Sequence, residues 1–126
     1  MLDEQQIRDR LEKFLTAAET WNTEGYAAFF TKGAVKIDPN GTEPVCGRDA
    51  ILERFITKRK NKLQSWKIHR DDIFVSGRGA ALKWTVELKD KEGASAAYEG
   101  IDLFEFSETG ECFKMVTFPR QKPRAH

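Results

Sequence analysis

The sequence predicts an α+β domain in which three helices pack on one strongly bent, mostly antiparallel sheet. Two patterns lead to this class. Apolar residues recur every three or four positions in the first half of the chain, as they do on one face of a helix. After residue 64 they alternate with polar residues, as they do in a half-buried strand. The length of 126 residues fits a single domain, 1–126.

The first helix is predicted to begin after an N-cap at Asp3 and to run for about 18 residues. Its apolar stripe contains Ile7, Leu11, Phe14, Leu15, Ala18 and Trp21. A short second helix is expected from a cap at Thr23 to a stop at Gly33. It carries three aromatic residues on one side, Tyr26, Phe29 and Phe30.

A third helix is expected after Gly47, in RDAILERFITKRK, with Ile51 and Phe55 buried. The basic run KRK at its end is more typical of a solvated helix end than of a nucleic-acid site. Lys and Arg number 21 against 20 Asp and Glu, so no overall field attracts nucleic acid or a membrane surface.

The second half predicts a set of antiparallel strands. WKIHRDDIFV, at 66–75, loses its alternation near Arg70 to Asp72, which indicates a bulge. Alternating residues 82–88 form the next strand, with turns at SGRG (76–79) and KDKEG (89–93). Two further strands, AAYEGIDLFEF and ECFKMVTF, are joined by SETG. The end of the chain, from about residue 120 to 126, is expected to be a disordered tail.

Asp102 stands out in the strand AAYEGIDLFEF. It shares its parity with three aromatic residues, Tyr98, Phe104 and Phe106, while Glu99 and Glu105 lie on the other face. Burial among aromatic rings disfavours an ionised carboxyl and raises its pKa, so that the neutral group becomes a hydrogen-bond donor. The alternative is a core aspartate paired with an arginine or a backbone amide.

Asp38 raises a similar question in the stretch KIDPNGTEP, residues 36–44. Aspartate, proline, asparagine and glycine together are typical of a turn. Yet Asp38 follows an apolar residue at the end of a predicted strand, and Pro39 offers it no following amide N–H. It is therefore either a turn former or a base at the mouth of a pocket.

Other chemical groups point to structural roles. Cys46 and Cys112 have neither metal-type nor redox-type spacing, which favours free thiols over a disulfide. His69 lacks a nearby metal partner, and the pair Asp71–Asp72 falls at the expected bend. The tryptophans 21, 66 and 84 are more typical of a core than of a ligand cage, although Trp84 has the parity to line a pocket. The charged N-terminus does not read as a signal peptide, and a cytoplasmic location is expected.

The stretch IDPNGTEPVCG, residues 37–47, resembles the active-site loop of bacterial ketosteroid isomerases, an aspartate followed by P-x-G-S-E-P-x-x-G. A G-x-x-A-I start of the third helix and an I-D-x-F-x-F strand are also similar, and the likeness covers nearly the whole chain. The wider grouping is the nuclear transport factor 2-like superfamily, with its SnoaL-like polyketide cyclases and epoxide hydrolases. The resemblance implies a cone-shaped fold around an apolar pocket, usually a homodimer, with no cofactor or metal.

Carried over by position, the resemblance assigns Asp38 as the general base and Asp102 as the neutral aspartate that donates a hydrogen bond to an enolate oxygen. A small hydrophobic molecule, such as a steroid or a polyketide-like compound, is the implied ligand, with no nucleic-acid or membrane partner. Six aromatic residues are expected to bind it: Phe14, Phe30, Phe55, Trp84, Phe104 and Phe118.

The sequence also departs from the isomerase pattern. Phe14 stands where those isomerases place a tyrosine as the other oxyanion donor, and Phe30 and Phe55 replace supporting tyrosines. Losing such a donor costs on the order of 3 kcal/mol of transition-state stabilisation in other enzymes. Two alternatives to an isomerase therefore stay open, namely a non-catalytic binding protein of the same fold and a cyclase or epoxide hydrolase that uses both carboxyls.

Overall fold

A computed structural model describes residues 2–122 of the chain, and the fold is the α+β class that the sequence predicts. Helices pack on one curved sheet of six strands in the order β2-β1-β6-β5-β4-β3. The helices are α1 (Glu4–Glu19), α2 (Thr23–Ala28) and α3 (Arg48–Phe55), and α3 continues as a π-helical segment, Ile56–Lys60. The strands are β1 (Phe30–Ile37), β2 (Val45–Cys46), β3 (Leu63–Ser76), β4 (Gly79–Asp90), β5 (Ser95–Phe106) and β6 (Cys112–Gln121).

Helix α1 begins as predicted. Asp3 is its N-cap and accepts a hydrogen bond from the Gln6 amide, while the Gln6 side chain accepts one from the Asp3 amide. The predicted apolar stripe is buried from Ile7 to Ala18. Helix α1 therefore lies with this stripe against the sheet, as its period requires.

The second helix is shorter than predicted. Its N-cap is Asn22 rather than Thr23, and the Asn22 side chain accepts a hydrogen bond from the Gly25 amide. Gly33 is not a helix stop, because the chain is already extended from Phe30, which pairs with Cys112 of β6. This β1–β6 pairing is parallel, and the other strand pairs are antiparallel.

The β3–β4–β5–β6 part of the sheet follows the predicted strands. The register between β3 and β4 shifts between Arg70 and Asp72, which confirms the bulge expected there. Strand β6 includes Arg120 and Gln121, so the prediction of a tail is wrong for these two residues. Residues 123–126 of that predicted tail lie outside the described part of the chain.

Helix α1 is tied to β3 by polar contacts. The Arg70 guanidinium donates to Glu12 at 2.9 Å and to Glu19 at 2.7 Å. Glu19 also accepts from the backbone amide of Ile68 at 2.8 Å, and the Trp66 indole donates to the Ala18 carbonyl at 2.9 Å. These contacts fix α1 across the sheet along the edge where β3 lies.

The remaining polar candidates fall on the surface. His69 pairs with Glu87 at 2.7 Å, and Asp71 accepts a hydrogen bond from Thr85 at 2.6 Å. Both cysteines are free thiols, Cys46 exposed and Cys112 buried. None of the helices within residues 2–122 has the length and apolar character needed to span a bilayer.

Candidate active site

A cavity of about 590 Å³ is lined by residues of the helices and of the sheet. Its volume lies in the range of ~300–1,000 Å³ that is typical of small-molecule sites. Most of its lining is apolar, and both predicted catalytic carboxyls, Asp38 and Asp102, contribute to its wall. Three of the six predicted ligand-binding aromatics line it too: Phe14, Phe55 and Trp84.

The other three predicted aromatics are placed elsewhere. Phe30 and Phe104 are buried in the aromatic cluster around Phe14, with ring centroids 5.5 and 6.3 Å from its ring. Phe118 lies on the opposite face of the sheet and is 44% exposed. None of these three residues lines the cavity. The first two pack around Phe14, because their positions in β1 and β5 direct them into the core.

Asp38 follows the last residue of β1 and precedes a turn whose hydrogen bonds do not involve the Asp38 side chain. The Asn40 amide donates to the Thr117 carbonyl at 2.8 Å, and both the amide and the hydroxyl of Thr42 donate to the Pro39 carbonyl. The Asp38–Pro39 peptide is cis. No described residue donates a hydrogen bond to the Asp38 carboxylate, whose ion pair with Arg59 is long at 3.9 Å. Its acceptor oxygens are thus available to a ligand in the cavity.

Asp102 occupies the opposite environment. Its strand neighbours are Leu82 and Thr117, and only 7% of the residue is exposed. Burial raises the pKa of Asp102 to about 6; the Thr117 hydroxyl, the Trp84 indole and the Lys36 charge oppose this rise. The upward direction of the shift predicted from the sequence agrees with this environment.

The alternative role for Asp102, a core carboxylate paired with an arginine or an amide, does not fit its surroundings. Asp102 Oδ1, Trp84 Nε1 and Thr117 Oγ1 are all buried, and none has a hydrogen-bond partner among the described residues. The Thr117 and Trp84 donors are near enough to lower the pKa of Asp102, yet no hydrogen bond of good geometry joins them to it. An unpaired buried polar group costs about 1–3 kcal/mol. Three such groups on β4, β5 and β6 line one cavity and suit a polar ligand atom.

Gly100 makes room for the Trp84 ring. The two residues pair across β4 and β5, and a Cβ added at Gly100 would lie 2.6 Å from the Trp84 ring and 2.5 Å from the Phe118 carbonyl. Any larger residue there would displace the indole. The glycine in the predicted strand thus has a positional role, which is to let an aromatic ring lie flat beside Asp102.

The cavity also contains polar residues that sequence reasoning missed. The Lys36 ammonium donates to the Tyr26 hydroxyl at 2.9 Å, and the Tyr26 ring stacks on Phe55 with centroids 3.9 Å apart. Burial alone would lower the pKa of Lys36, but Tyr26 and the Asp38 carboxylate outweigh it and the pKa lies above its usual value. Lys36 has the same strand parity as Asp38, and this was the signal that could have found it.

Three more basic residues line the cavity, from α3 and its π-helical extension: Arg54, Lys58 and Arg59. Two of them belong to the basic run that the sequence assigns to a solvated helix end. Within residues 2–122, no cluster of three or more His, Cys, Asp or Glu side chains is arranged to hold a metal ion.

Comparison with known proteins places this geometry in a family. The family model of the SnoaL-like domain matches residues 11–115. The epoxide hydrolase/cyclase-like enzyme SalBIII, which has a role in pyran ring formation in the polyether salinomycin, is 20% identical with a TM-score of 0.84, and the match covers 95% of each chain. A search of curated protein sequences finds no match.

Two further solved structures share the fold. A putative SnoaL-like polyketide cyclase from Shewanella denitrificans is 11% identical, with a TM-score of 0.81 and 90% of each chain covered. Rv0760c from Mycobacterium tuberculosis, solved in complex with estradiol-17β-hemisuccinate, is 14% identical with a TM-score of 0.79; the match covers 89% of this chain and 92% of that one. At these identities the likeness establishes the fold alone.

The Asp102 environment predicts a pH-dependent difference in stability between the wild type and Asp102→Asn. The folded-state pKa of about 6 lies above the ordinary value of 3.8, so the folded state prefers the neutral carboxyl. This contribution is fully present below pH 3.8 and is lost as pH rises through about 6. The difference between a pKa of 3.8 and one of about 6 corresponds to on the order of 3 kcal/mol of free energy. The free energy of unfolding of Asp102→Asn minus that of the wild type should therefore be larger at pH 8 than at pH 4, by most of this amount.

Urea unfolding of both proteins at the two pH values measures this difference. Glu53→Gln removes an exposed carboxyl that does not line the cavity and serves as the control, with little change expected. An equal gap between wild type and Asp102→Asn at both pH values would mean that the buried carboxyl titrates normally.

Proposed function

Since the chain belongs to the SnoaL-like domain family of the nuclear transport factor 2-like superfamily, we propose that it is an enzyme that transfers protons in a small hydrophobic molecule held in this cavity. One observation carries the proposal. Two carboxyls of one cavity occupy opposite environments, since Asp38 is partly exposed without a hydrogen-bond donor and Asp102 is buried with a raised pKa. Such a difference between two titratable groups is what separates a base from an acid in one site.

The first candidate reaction is isomerisation of the ketosteroid isomerase type. Asp38 takes a proton from the carbon next to a ketone, and the electron pair moves to the carbonyl oxygen to form an enolate. The neutral Asp102 donates a hydrogen bond to that oxygen and keeps its own proton. Asp38 then returns the proton to a different carbon of the conjugated system, so that no oxidant, cofactor or net proton is needed.

Protonation of Asp102 in the complex is favoured by the ligand itself. An apolar molecule that fills the cavity removes water from around the carboxyl, and this desolvation raises the pKa of Asp102 further above about 6. The hydrogen-bonding form of Asp102 is therefore expected to be more populated with substrate bound than without it.

The second candidate is an epoxide hydrolase or cyclase, and the position of Phe14 favours it. The Phe14 ring is buried, stacks on Phe29 with centroids 4.1 Å apart, and carries no hydroxyl toward the cavity. An epoxide opening needs one acid and one base. Asp38 accepts the proton of the attacking water or hydroxyl, the nucleophile bonds to an epoxide carbon, and Asp102 gives its proton to the departing oxygen. Solvent then returns both carboxyls to their starting states.

Asp38→Asn tests the shared part of both candidates. The amide keeps the shape of the side chain but cannot accept a proton, so turnover should fall by at least about 100-fold while the melting temperature changes little. Conversion of an unconjugated ketosteroid is followed by ultraviolet absorbance of the conjugated enone, and epoxide opening by chromatography. Asp49→Asn, an exposed aspartate outside the cavity, should retain wild-type rates.

A measurable rate that is the same in wild type and Asp38→Asn would remove Asp38 from the mechanism. Tight binding of steroids with no turnover of either substrate class would instead identify a non-catalytic binding protein, the remaining alternative for this fold.

Phe14→Tyr separates the two candidate reactions. A hydroxyl added to this cavity-lining ring would provide a second donor for an enolate oxygen, so isomerisation should increase up to about tenfold, less than a full oxyanion donor is worth. Epoxide opening, which already has its acid in Asp102, should not increase. Because a buried hydroxyl without a partner costs about 1–3 kcal/mol, the melting temperature should fall modestly.

Phe29→Tyr is the matched control for this change. Phe29 is buried beside Phe14 but does not line the cavity, so its hydroxyl should lower stability with no gain in rate. Equal kinetic effects of the two variants would mean that Phe14 is an ordinary core residue. A faster epoxide reaction in Phe14→Tyr would contradict the distinction drawn between the two mechanisms.

We also propose that two copies pair through the outer face of the sheet. Apolar side chains are exposed there on two neighbouring strands: Ile101, Leu103, Phe113 and Phe118. Ile101 and Phe118 are direct cross-strand neighbours, and the nearby pair of Glu105 and Lys114 offers both signs of charge. A second copy related by a twofold axis presents the same apolar patch and the complementary charges, as a symmetric interface requires.

Sedimentation equilibrium at tens of micromolar protein should therefore give the mass of a dimer. Ile101→Lys places a charge at the centre of the patch and should shift the equilibrium to monomer, whereas Ala50→Lys, at an exposed position of helix α3, should leave it unchanged. A monomeric wild type would contradict the proposed interface.

A further inference from the structure

The wall of the cavity has more basic than acidic side chains. Four basic residues line it, namely Lys36, Arg54, Lys58 and Arg59, against the two carboxyls of Asp38 and Asp102. An excess of two positive charges thus remains even when both carboxyls are ionised. This excess is local, because the chain as a whole carries a formal charge of only +1.

These cations are poorly neutralised by the protein. Among residues 2–122, Arg54 and Lys58 form no salt bridge with an acidic side chain, and Arg59 has only the 3.9 Å contact with Asp38. Lys36 donates a hydrogen bond to the Tyr26 hydroxyl, and its pKa is raised in part by the Asp38 carboxylate, so Lys36 is partly neutralised. An anion entering the cavity would therefore meet Arg54 and Lys58 without an acidic partner.

The basic segment has one side on the cavity. Lys58, Arg59 and Lys60 are consecutive and belong to the π-helical segment; Lys58 and Lys60 are both exposed, but Lys58 lines the cavity and Lys60 does not. A π-helical turn within or after an α-helix is frequent at functional sites because it redirects side chains. Here Lys58 and Arg59 are on the cavity side, and Arg54 precedes Lys58 by four residues.

We propose that the ligand of this cavity is an amphipathic carboxylic acid. Its carboxylate is bound by the basic wall, which is formed by Lys36, Arg54, Lys58 and Arg59, and its apolar body lies against Trp66 and Trp84. This deepens the proposed function and rests on it, since the same cavity is used. Arginine suits a carboxylate because its planar guanidinium donates two parallel hydrogen bonds. One carboxylate is accommodated by this local excess even when both carboxyls are ionised.

A pair of probes of equal size tests the carboxylate. Isothermal titration calorimetry with 2-naphthoic acid and 2-naphthamide at pH 7 and low salt compares an anion with its neutral counterpart. The acid should bind about tenfold more tightly, and this preference should shrink as salt is added. The amide should bind with weaker affinity that does not depend on salt, because only the apolar wall holds it.

Variants locate the effect. Arg54→Gln and Lys58→Gln should each weaken binding of the acid about threefold, as expected for partly exposed ion pairs, and leave the amide unchanged. Lys60→Gln removes the same charge from the same segment outside the cavity and should change neither. If Lys60→Gln weakened binding of the acid as much as Lys58→Gln does, the preference for the acid would reflect only the net charge of the protein, and the proposal would be overturned.

The outcomes separate this inference from the proposed function. Equal affinities for acid and amide, together with a rate that depends on Asp38, would overturn the carboxylate proposal and leave the enzyme proposal standing. Failure of both probes to bind would overturn the use of the cavity for flat apolar molecules altogether.

Discussion

The attachment of helix α1 to β3 by polar contacts is the interaction on which the cavity depends. A helix that packed on the sheet through apolar contacts alone would gain stability by settling into the concave face and filling it. Arg70, held by Glu12 and Glu19, and the Trp66 indole, bonded to the Ala18 carbonyl, fix α1 along one edge instead. Phe14 and its aromatic neighbours then pack one end of the space under the helix, and the rest stays open.

The open space gives the two carboxyls their different properties. Asp38 lies beyond the end of β1, where the chain turns and water reaches it, whereas Asp102 lies within β5, between two strands that shield it. The same side-chain chemistry thus meets two different environments, and burial raises the pKa of Asp102. Gly100 contributes to this difference, since its missing side chain allows the Trp84 ring to lie close to the strand that carries Asp102.

Local periodicity was enough to predict the elements that depend on it. The stripe of α1, the alternation of β4 and β5, and the inward direction of Asp102 follow from residues close in sequence. The β1–β6 pairing joins residues that are about 80 positions apart and parallel, so nothing near Gly33 marks the start of a strand there.

The differences between the expected and the observed cavity lining have related physical causes. The resemblance implied six ligand-binding aromatic residues, but Phe30 and Phe104 belong to the core behind Phe14, and Phe118 faces outward. The sequence did not predict that Lys58 and Arg59 line the cavity, because a helical pattern cannot show that the last turn widens into a π-helix. The cavity position of Lys36 could have been predicted, since its side chain has the same strand parity as Asp38. A lysine in a strand is, however, ordinarily interpreted as a solvated residue.

Lys36 and burial act on the pKa of Asp102 in opposite directions, so the charge of a ligand can change the protonation of this carboxyl. The positive charge of Lys36 lowers the pKa of Asp102 against the effect of burial. An anionic group bound to the basic wall would offset that charge, and the apolar body of the same ligand would exclude water from the carboxyl. Both changes raise the pKa of Asp102 in the complex. A ligand with a carboxylate and an apolar body would thereby favour the protonated form of Asp102, which is the form that donates a hydrogen bond.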